Sequence, residues 1–362
     1  MAIDSPYPEL KKTHTMAHAG RPWTDFKPPA AAPVWAAIEG LGRYYVLVAA
    51  LELDLFDTLQ TIGPTTVDVI AKHLDVSEPH LQALLDSVVA LELLEQFEDI
   101  YDLNDAARRY LTSDGAATMA DLIPVAPGPH ENWTRLADTI RNGTPATPIE
   151  DDPAAFYVPL VEGTFTTTWR AASRADFKVR YSALDAPKVL DLGAGGAPWS
   201  IAVLQACPAA TSVVNDLPGV IDVAKRKTAE FEVADRCEFR GGDFHSIDLE
   251  ADTYDLVVLG HICRTEGPEG AQHLIERAFA TLKPEGRLIL ADYFVDFERK
   301  FNPHAVLMGM TMMTSTVNGF PISSEQATDW MRAAGFEGLR LIEPIGFQFC
   351  YVATKPAAPR KE

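Results

Sequence analysis

From Lys188 to the end of the chain, apolar runs of β type alternate with helical stretches, and this rhythm limits the fold more than any other feature. "KVLDLG", "TSVVNDLP", "CEFRGGDF", "YDLVVLGH" and "GRLILADYF" read as strands, with helices around 198–206, 218–230 and 268–282. A helix in "SSEQATDWMRAAGF" and two last strands in "LRLIEPI" and "FQFCYVATKP" follow. Parallel strands cannot be joined by tight turns and need long crossovers, so the pattern predicts an α/β fold with a Rossmann-like, doubly wound sheet, closed by one antiparallel strand. Ligands of such sheets bind beyond the carboxyl ends of the strands.

The first of these strands runs into a glycine turn, Asp191-Leu-Gly193-Ala-Gly195-Gly196-Ala197. Glycine lets the backbone turn sharply and approach a ligand closely. A dinucleotide fingerprint begun at Gly193 would need its third glycine where Pro198 stands. Asp191 would also repel a pyrophosphate, whereas it can attract a cation. The next strand ends in Asp216, 25 residues after Asp191, where a carboxylate can accept both ribose hydroxyls, with Leu217 beside it. The third ends in "GGDF", so that Asp243 and Phe244 can hold and cover an adenine. These residues point to a nucleoside that lacks phosphates and carries positive charge. S-adenosyl-L-methionine fits, with S-adenosyl-L-homocysteine as its spent form.

The front half is different. Residues 1–33 are proline-rich and read as an arm, either flexible or packed on a partner subunit. Val34 to Leu59 forms one long helical pattern with more apolar surface than a single stripe needs, which suits a helix central in a domain or buried against another subunit. Helices are expected at 65–73 and 77–92, the second capped by Ser77, and then a hairpin in "LLEQFEDIYDL". This is a winged-helix pattern. A DNA-reading second helix would need Lys or Arg, but none lies between Lys72 and Arg108, where nine Asp and Glu fall. With a formal net charge of −20, nucleic-acid binding is disfavoured and a structural or dimerisation module is expected. An amphipathic helix at 131–146, a Pro-rich loop at 144–160 and a joining helix in "GTFTTTWRAASRADFKVRYSAL" complete this half. The four cysteines are scattered and suit free thiols, and no run is read as a signal peptide or membrane span, so a cytoplasmic protein without a membrane partner is expected.

The order "VLDLGAGG…NDLP…GGDF…DLVVLGH…LKPEGRLILAD" resembles the class I S-adenosylmethionine-dependent methyltransferases. With the winged-helix front half and "ENWTRLADTIRNG", the chain is similar over residues 34–355 to the small-molecule O-methyltransferases of plants and bacteria. The resemblance implies a homodimer formed through the N-terminal domain and a small hydroxylated acceptor. It divides the chain into the arm (1–33), a winged-helix-like dimerisation domain (34–120), linking helices that contribute to the acceptor pocket (121–187) and the cofactor-binding domain (188–356). One departure lies in the turn, where Ala197 replaces the family's usual glycine.

Methyl transfer is an in-line displacement, and a hydroxyl nucleophile must also lose its proton. In the family a histidine after the fourth strand takes it, and that position falls on Arg264, which stays protonated. One of the two supporting glutamates corresponds to Asp292, and the other falls near Pro321. Three readings follow. His261 supplies the base; or an anionic, enolic or electron-rich carbon acceptor needs only positioning, with Arg264 gripping an oxygen, which makes C-methylation credible; or the fold has kept its cofactor for a non-methylating reaction. Glu266 is placed to pair with Arg264. The catalytic candidates are therefore His261, Arg264 and Asp292. Trp133, Phe165, Trp169, His304, Met308 and Met312 are expected to wall the acceptor pocket, methionine suiting flat, irregular ligands. His261 and His304 lie 43 residues apart with no third ligand, so no metal is expected. A small, aromatic or enolisable acceptor methylated on oxygen is the favoured function, and a DNA-binding regulator is the disfavoured alternative.

Overall fold

The computed structural model describes residues 17–18, 21–22, 31–126, 128–296, 302–345 and 348–358. The chain divides into two compact units, the first ending at Asn104 and the second beginning at Asp105. The expected arm at 1–33 lies mostly outside the described residues, apart from a short antiparallel pair, β1 (Ala17–His18) with β2 (Arg21–Pro22).

In the first unit α1 spans Ala32–Glu52 and α2 Leu55–Ile62. The single helix expected over Val34–Leu59 is thus broken, because Asp54 takes a left-handed conformation at φ 55° that no helix can continue through. Val34, Trp35, Ile38, Leu41 and Tyr45 leave large apolar side chains exposed along α1. By length and composition α1 is apolar enough to cross a membrane, which corrects the expectation that no run is. β3 (Thr65–Thr66), α3 (Val67–Leu74), α4 (Glu78–Ala90), β4 (Leu94–Phe97) and β5 (Ile100–Leu103) follow, the strands forming a sheet in the order β3-β5-β4. Leu55, Phe56, Leu59, Ile70, Leu81, Leu85 and Val88 are buried among these elements.

The second unit opens with α5 (Asp105–Tyr110), α6 (His130–Thr134), α7 (Leu136–Asn142) and the long α8 (Pro153–Val179). The helix expected at 131–146 is split at Arg135. Helix α8 begins ten residues before the expected start, inside what reads as a Pro-rich loop. Pro153 sits in its first turn, where no N–H is needed, and the Asp152 side chain accepts from the Ala155 N–H to cap it.

Next come β6 (Lys188–Leu192), α9 (Pro198–Ala206), β7 (Thr211–Asp216), α10 (Pro218–Glu230), β8 (Cys237–Gly241), β9 (Tyr254–Gly260), α11 (Gly267–Thr281), β10 (Leu282–Asp292), α12 (Pro303–Ser315), α13 (Ser324–Ala333), β11 (Glu337–Ile345) and β12 (Gln348–Thr354). The sheet order is β11-β12-β10-β9-β6-β7-β8, with β12 alone running against its neighbours. Side-chain alternation builds the two cores. Leu190, Leu192, Val257, Leu259, Leu288 and Leu290 pack on the face carrying α11 and α13. Val189, Leu256, Val258, Ile289 and Ala291 pack on the face carrying α8 and α9. This is the doubly wound α/β sheet that the sequence predicts.

Helix α8 is held close to the preceding chain at Gly163. A methyl added there would stand 2.5 Å from the Asp121 carbonyl oxygen, which is backbone and cannot swing away. Gly163→Ala is therefore expected to lower stability by about 1–3 kcal/mol, the cost of overpacking, read as a lower urea midpoint without a change of slope.

Candidate active site

The carboxyl ends of β6, β7, β9 and β10 carry the polar residues of the site, and the local chain dictates how each is held. At the glycine turn Gly193 has φ 60°, and a methyl added to it would stand 2.5 Å from Ile262 Cγ2. Ala197 adopts φ 60° without being glycine. That conformation costs an alanine about 1–2 kcal/mol. Burial of its methyl with Ala194, Val214, Ile221 and Ala224 returns about 0.8 kcal/mol.

Two acids frame the turn. One oxygen of Asp191 accepts from the Ser200 N–H at 3.2 Å and from Ser200 Oγ at 2.6 Å, so this residue ties the turn to α9. Burial pushes its carboxyl up to about 7, against the Ser200 hydrogen bonds. Asp216 accepts the Gly195 N–H at 2.6 Å on one oxygen and the Leu217 N–H at 2.7 Å on the other. Each oxygen therefore keeps a lone pair for a further donor, which is what a ribose diol requires. Burial lifts this carboxyl to about 6, with the two backbone N–H groups holding it down. Asp243 is exposed and caps the turn after β8 by accepting the His245 N–H at 2.8 Å, and Phe244 is half-buried beside it, its ring 4.9 Å from that of His245. The donor set suits a nucleoside with a cationic tail: carboxylates and a close backbone, and no basic side chain in the turn.

At the other end of the site Asp292 is fully buried at the end of β10. Its Oδ1 accepts from Arg264 Nη1 at 2.9 Å and from the Tyr293 N–H at 2.8 Å. Oδ2 accepts the Arg264 backbone N–H at 3.3 Å. Burial pushes the guanidinium down, but the Asp292 charge and hydrogen bond together with the Tyr293 and Tyr157 phenols outweigh it, and the net shift is upward. Arg264 Nε is buried and has no hydrogen-bond partner among the described residues. His261, at φ 65°, sends its backbone N–H to the Ala291 carbonyl at 2.7 Å, and its Nδ1 stands 4.0 Å from Asp292 Oδ1. The shorter, charge-assisted contact commits the carboxylate to Arg264.

Tyr293 organises the rest. Its ring centre lies 5.3 Å from that of His261, 5.1 Å from that of His304 and 5.3 Å from Arg264 Cζ. His304 is half-buried in the first turn of α12, its imidazole pushed down by burial and by the Arg264 charge. Opposite the turn, α8 presents a stripe one helical turn apart. Val161 packs on Gly195 and Phe165 on Gly196, while Tyr157 stands one turn earlier. Burial pushes the Tyr157 phenol up to about 12, helped by the Glu266 charge and opposed by Arg264.

Several expectations are corrected. Glu266 binds His245 Nε2 at 2.7 Å and Thr265 Oγ1 at 2.8 Å and leaves Arg264 to Asp292. Phe165 and Trp169 follow one another by about one turn on α8. Both rings pack on Phe231 in the core beside α9, and the Trp169 indole N–H donates to Gln205. Met312 is buried in α12. Met308 is half-buried on the same helix, and Trp133 is half-buried on α6, which packs against α12. Pro321, at the position of a supporting glutamate, packs against Gly309. Tyr157 and Tyr293 were not anticipated. Tyr293 is signalled by adjacency to Asp292, whereas Tyr157 is hidden by the prolines around it. Among the described residues no group of three or more His, Cys, Asp and Glu converges as a metal site would need.

Residues 35–113 match an O-methyltransferase dimerisation domain and residues 168–337 an O-methyltransferase domain. The chain is 27% identical over 323 residues to the tetracenomycin polyketide synthesis 8-O-methyl transferase of Streptomyces glaucescens, covering 86% of this chain and 92% of that one. It is 26% identical over 318 residues to the 3-hydroxy-5-methyl-1-naphthoate 3-O-methyltransferase of Streptomyces sahachiroi, covering 84% and 88%. In fold it is similar to human N-acetylserotonin methyltransferase, solved in complex with SAM, with a TM-score of 0.79, 22% identity and coverage of 92% and 99%. With a dimerisation domain ahead of a doubly wound sheet whose glycine turn is set between buried acids, this chain belongs to the S-adenosylmethionine-dependent O-methyltransferase family.

Proposed function

We propose that this protein methylates an oxygen of a small aromatic or enolisable metabolite, with Arg264 positioning the acceptor. S-adenosylmethionine supplies a methyl group on a sulfonium open to in-line displacement. The observation that carries the acceptor reading is Arg264 itself. It occupies the family's reactive position, is neutralised on one side by Asp292, and retains a buried Nε donor. A donor of that kind, in a site screened from water, favours an acceptor oxygen that bears or develops negative charge. The naphthoate named for one relative, a hydroxylated aromatic acid, is an acceptor of this class. Asp191, Gly193 and Gly195 shape the donor turn, Asp216 with Leu217 takes the ribose, and Asp243 with Phe244 borders the adenine. Incubation with the methyl donor and hydroxylated naphthoic acids tests the function, since the product must gain one methylene unit in mass at an oxygen.

For the first unit, the reading is a winged-helix module that pairs two copies of the chain through α1. Its exposed Val34, Trp35, Ile38 and Leu41 fall within or beside the matched dimerisation segment. Burying such a row against a second copy removes an apolar patch that a monomer would leave in water.

Three outcomes are expected. Ribose hydroxyls donate to Asp216, so binding needs its ionised form. Affinity for S-adenosylhomocysteine, measured by calorimetry, should be level above about pH 6 and fall up to about tenfold per pH unit below it. Asp216→Asn should bind weakly at every pH. Arg264→Ala strands a buried carboxylate and should cost about 3–5 kcal/mol of stability, whereas Arg264→Met combined with Asp292→Asn should regain most of it while acceptor turnover stays low. Leu41→Glu should shift the protein to monomer in light scattering.

A further inference from the structure

We propose that His304 is the general base that removes the acceptor's proton, a role displaced from the strand end, where the family keeps its histidine, to the first turn of α12. This inference rests on the methyl-transfer reading above. The geometry sets His304 in the same cluster as Arg264. Helix α12 packs against the turn containing Arg264, the His304 ring meets Tyr293 edge-on at 5.1 Å, and the Arg264 guanidinium stands 5.3 Å from the centre of the same Tyr293 ring. His304 is half-buried, and a general base needs only one of its two ring nitrogens, so the other can keep a hydrogen bond.

A general base has to be neutral before it acts, and the surroundings of His304 secure this. It lies second in a helix of 13 residues whose start is capped by Asn302, so the helix dipole disfavours an imidazolium. The Arg264 charge and partial burial act in the same direction. The same field lowers the ionisation threshold of a hydroxyl bound at Arg264, so the base is not weakened relative to the acid it must deprotonate. The His261 ring also contacts Tyr293, at 5.3 Å between centres, and Asp292 is paired with Arg264. Helix α6 brings His130 and Glu131, and α7 brings Asp138 and Arg141, which pair with each other at 2.8 Å.

The step balances. The acceptor O–H bond breaks and its proton passes to an imidazole nitrogen of His304. The freed oxygen pair forms the bond to the methyl carbon as the carbon–sulfur bond breaks, its electrons staying on sulfur. The positive charge lost by the sulfonium ends on the imidazolium, which later releases its proton to water.

The test compares wild type with His304→Gln on 2-naphthol, which stays protonated in mildly alkaline buffer, and 4-nitrophenol, which is largely ionised there. Transfer to 2-naphthol should fall about 100-fold in the variant and transfer to 4-nitrophenol by less than about threefold. S-adenosylhomocysteine affinity should not change. Added imidazole should restore part of the activity of His304→Ala on 2-naphthol. With both proteins loaded with S-adenosylhomocysteine, the absorbance of bound 4-nitrophenol should show ionisation at lower pH in wild type than in His304→Gln. Equal loss on both acceptors, or none on 2-naphthol, overturns the role of His304 while leaving methyl transfer standing. Wild type that methylates neither acceptor overturns the methyl-transfer reading and this inference together.

Discussion

A carboxylate taken out of water has to be matched with donors, and this fold takes three of them out at the carboxyl edge of one sheet. Asp191, Asp216 and Asp292 all lie at the ends of strands, and each is matched differently. Asp191 is satisfied by the start of the following helix, Asp216 by the backbone of its own turn and of the glycine turn, and Asp292 by a guanidinium from the neighbouring strand end. The first match fixes the turn on the helix. The second leaves acceptor capacity free. The third holds a buried cation at the end of β10. The site is the set of solutions to this single desolvation constraint, and the two sheet faces hold the strands in the register that the solutions need.

Much of this was legible in the sequence. Helices α9 and α10 and the strand ends follow directly from apolar period and the positions of glycine and proline, because parallel strands buried on both faces leave strong patterns. Asp216 was read from the end of its strand, whereas Arg264 and Asp292 were read from the positions that the family resemblance implies. What could not be read was pairing. Arg264 and Asp292 are 28 residues apart and Glu266 only two, so proximity in sequence favoured the wrong partner. The start of α8 was hidden by Pro153, which a helix tolerates in its first turn, and by Pro159 inside the helix, and Tyr157 was hidden with it. The aromatic residues at 165 and 169 have helical spacing, which specifies a face but not what that face meets.

The first unit poses a different physical problem. Helix α1 carries enough apolar surface to pass for a membrane span, yet Glu39 and Arg43 form an ion pair on it at 3.0 Å. A helix that mixes a charged pair with a row of large apolar side chains suits a protein surface that is part wet and part covered, the anatomy of a subunit interface.

Ile262 carries a consequence for how two loops of the candidate site are tied together. Its side chain lies against Gly193 in the glycine turn, while two residues further along the same short loop Arg264 reaches Asp292. Neither loop can shift without displacing the other, since there is no room between the isoleucine and the glycine backbone. A larger residue at 193 would press on Ile262 and upset both loops at once.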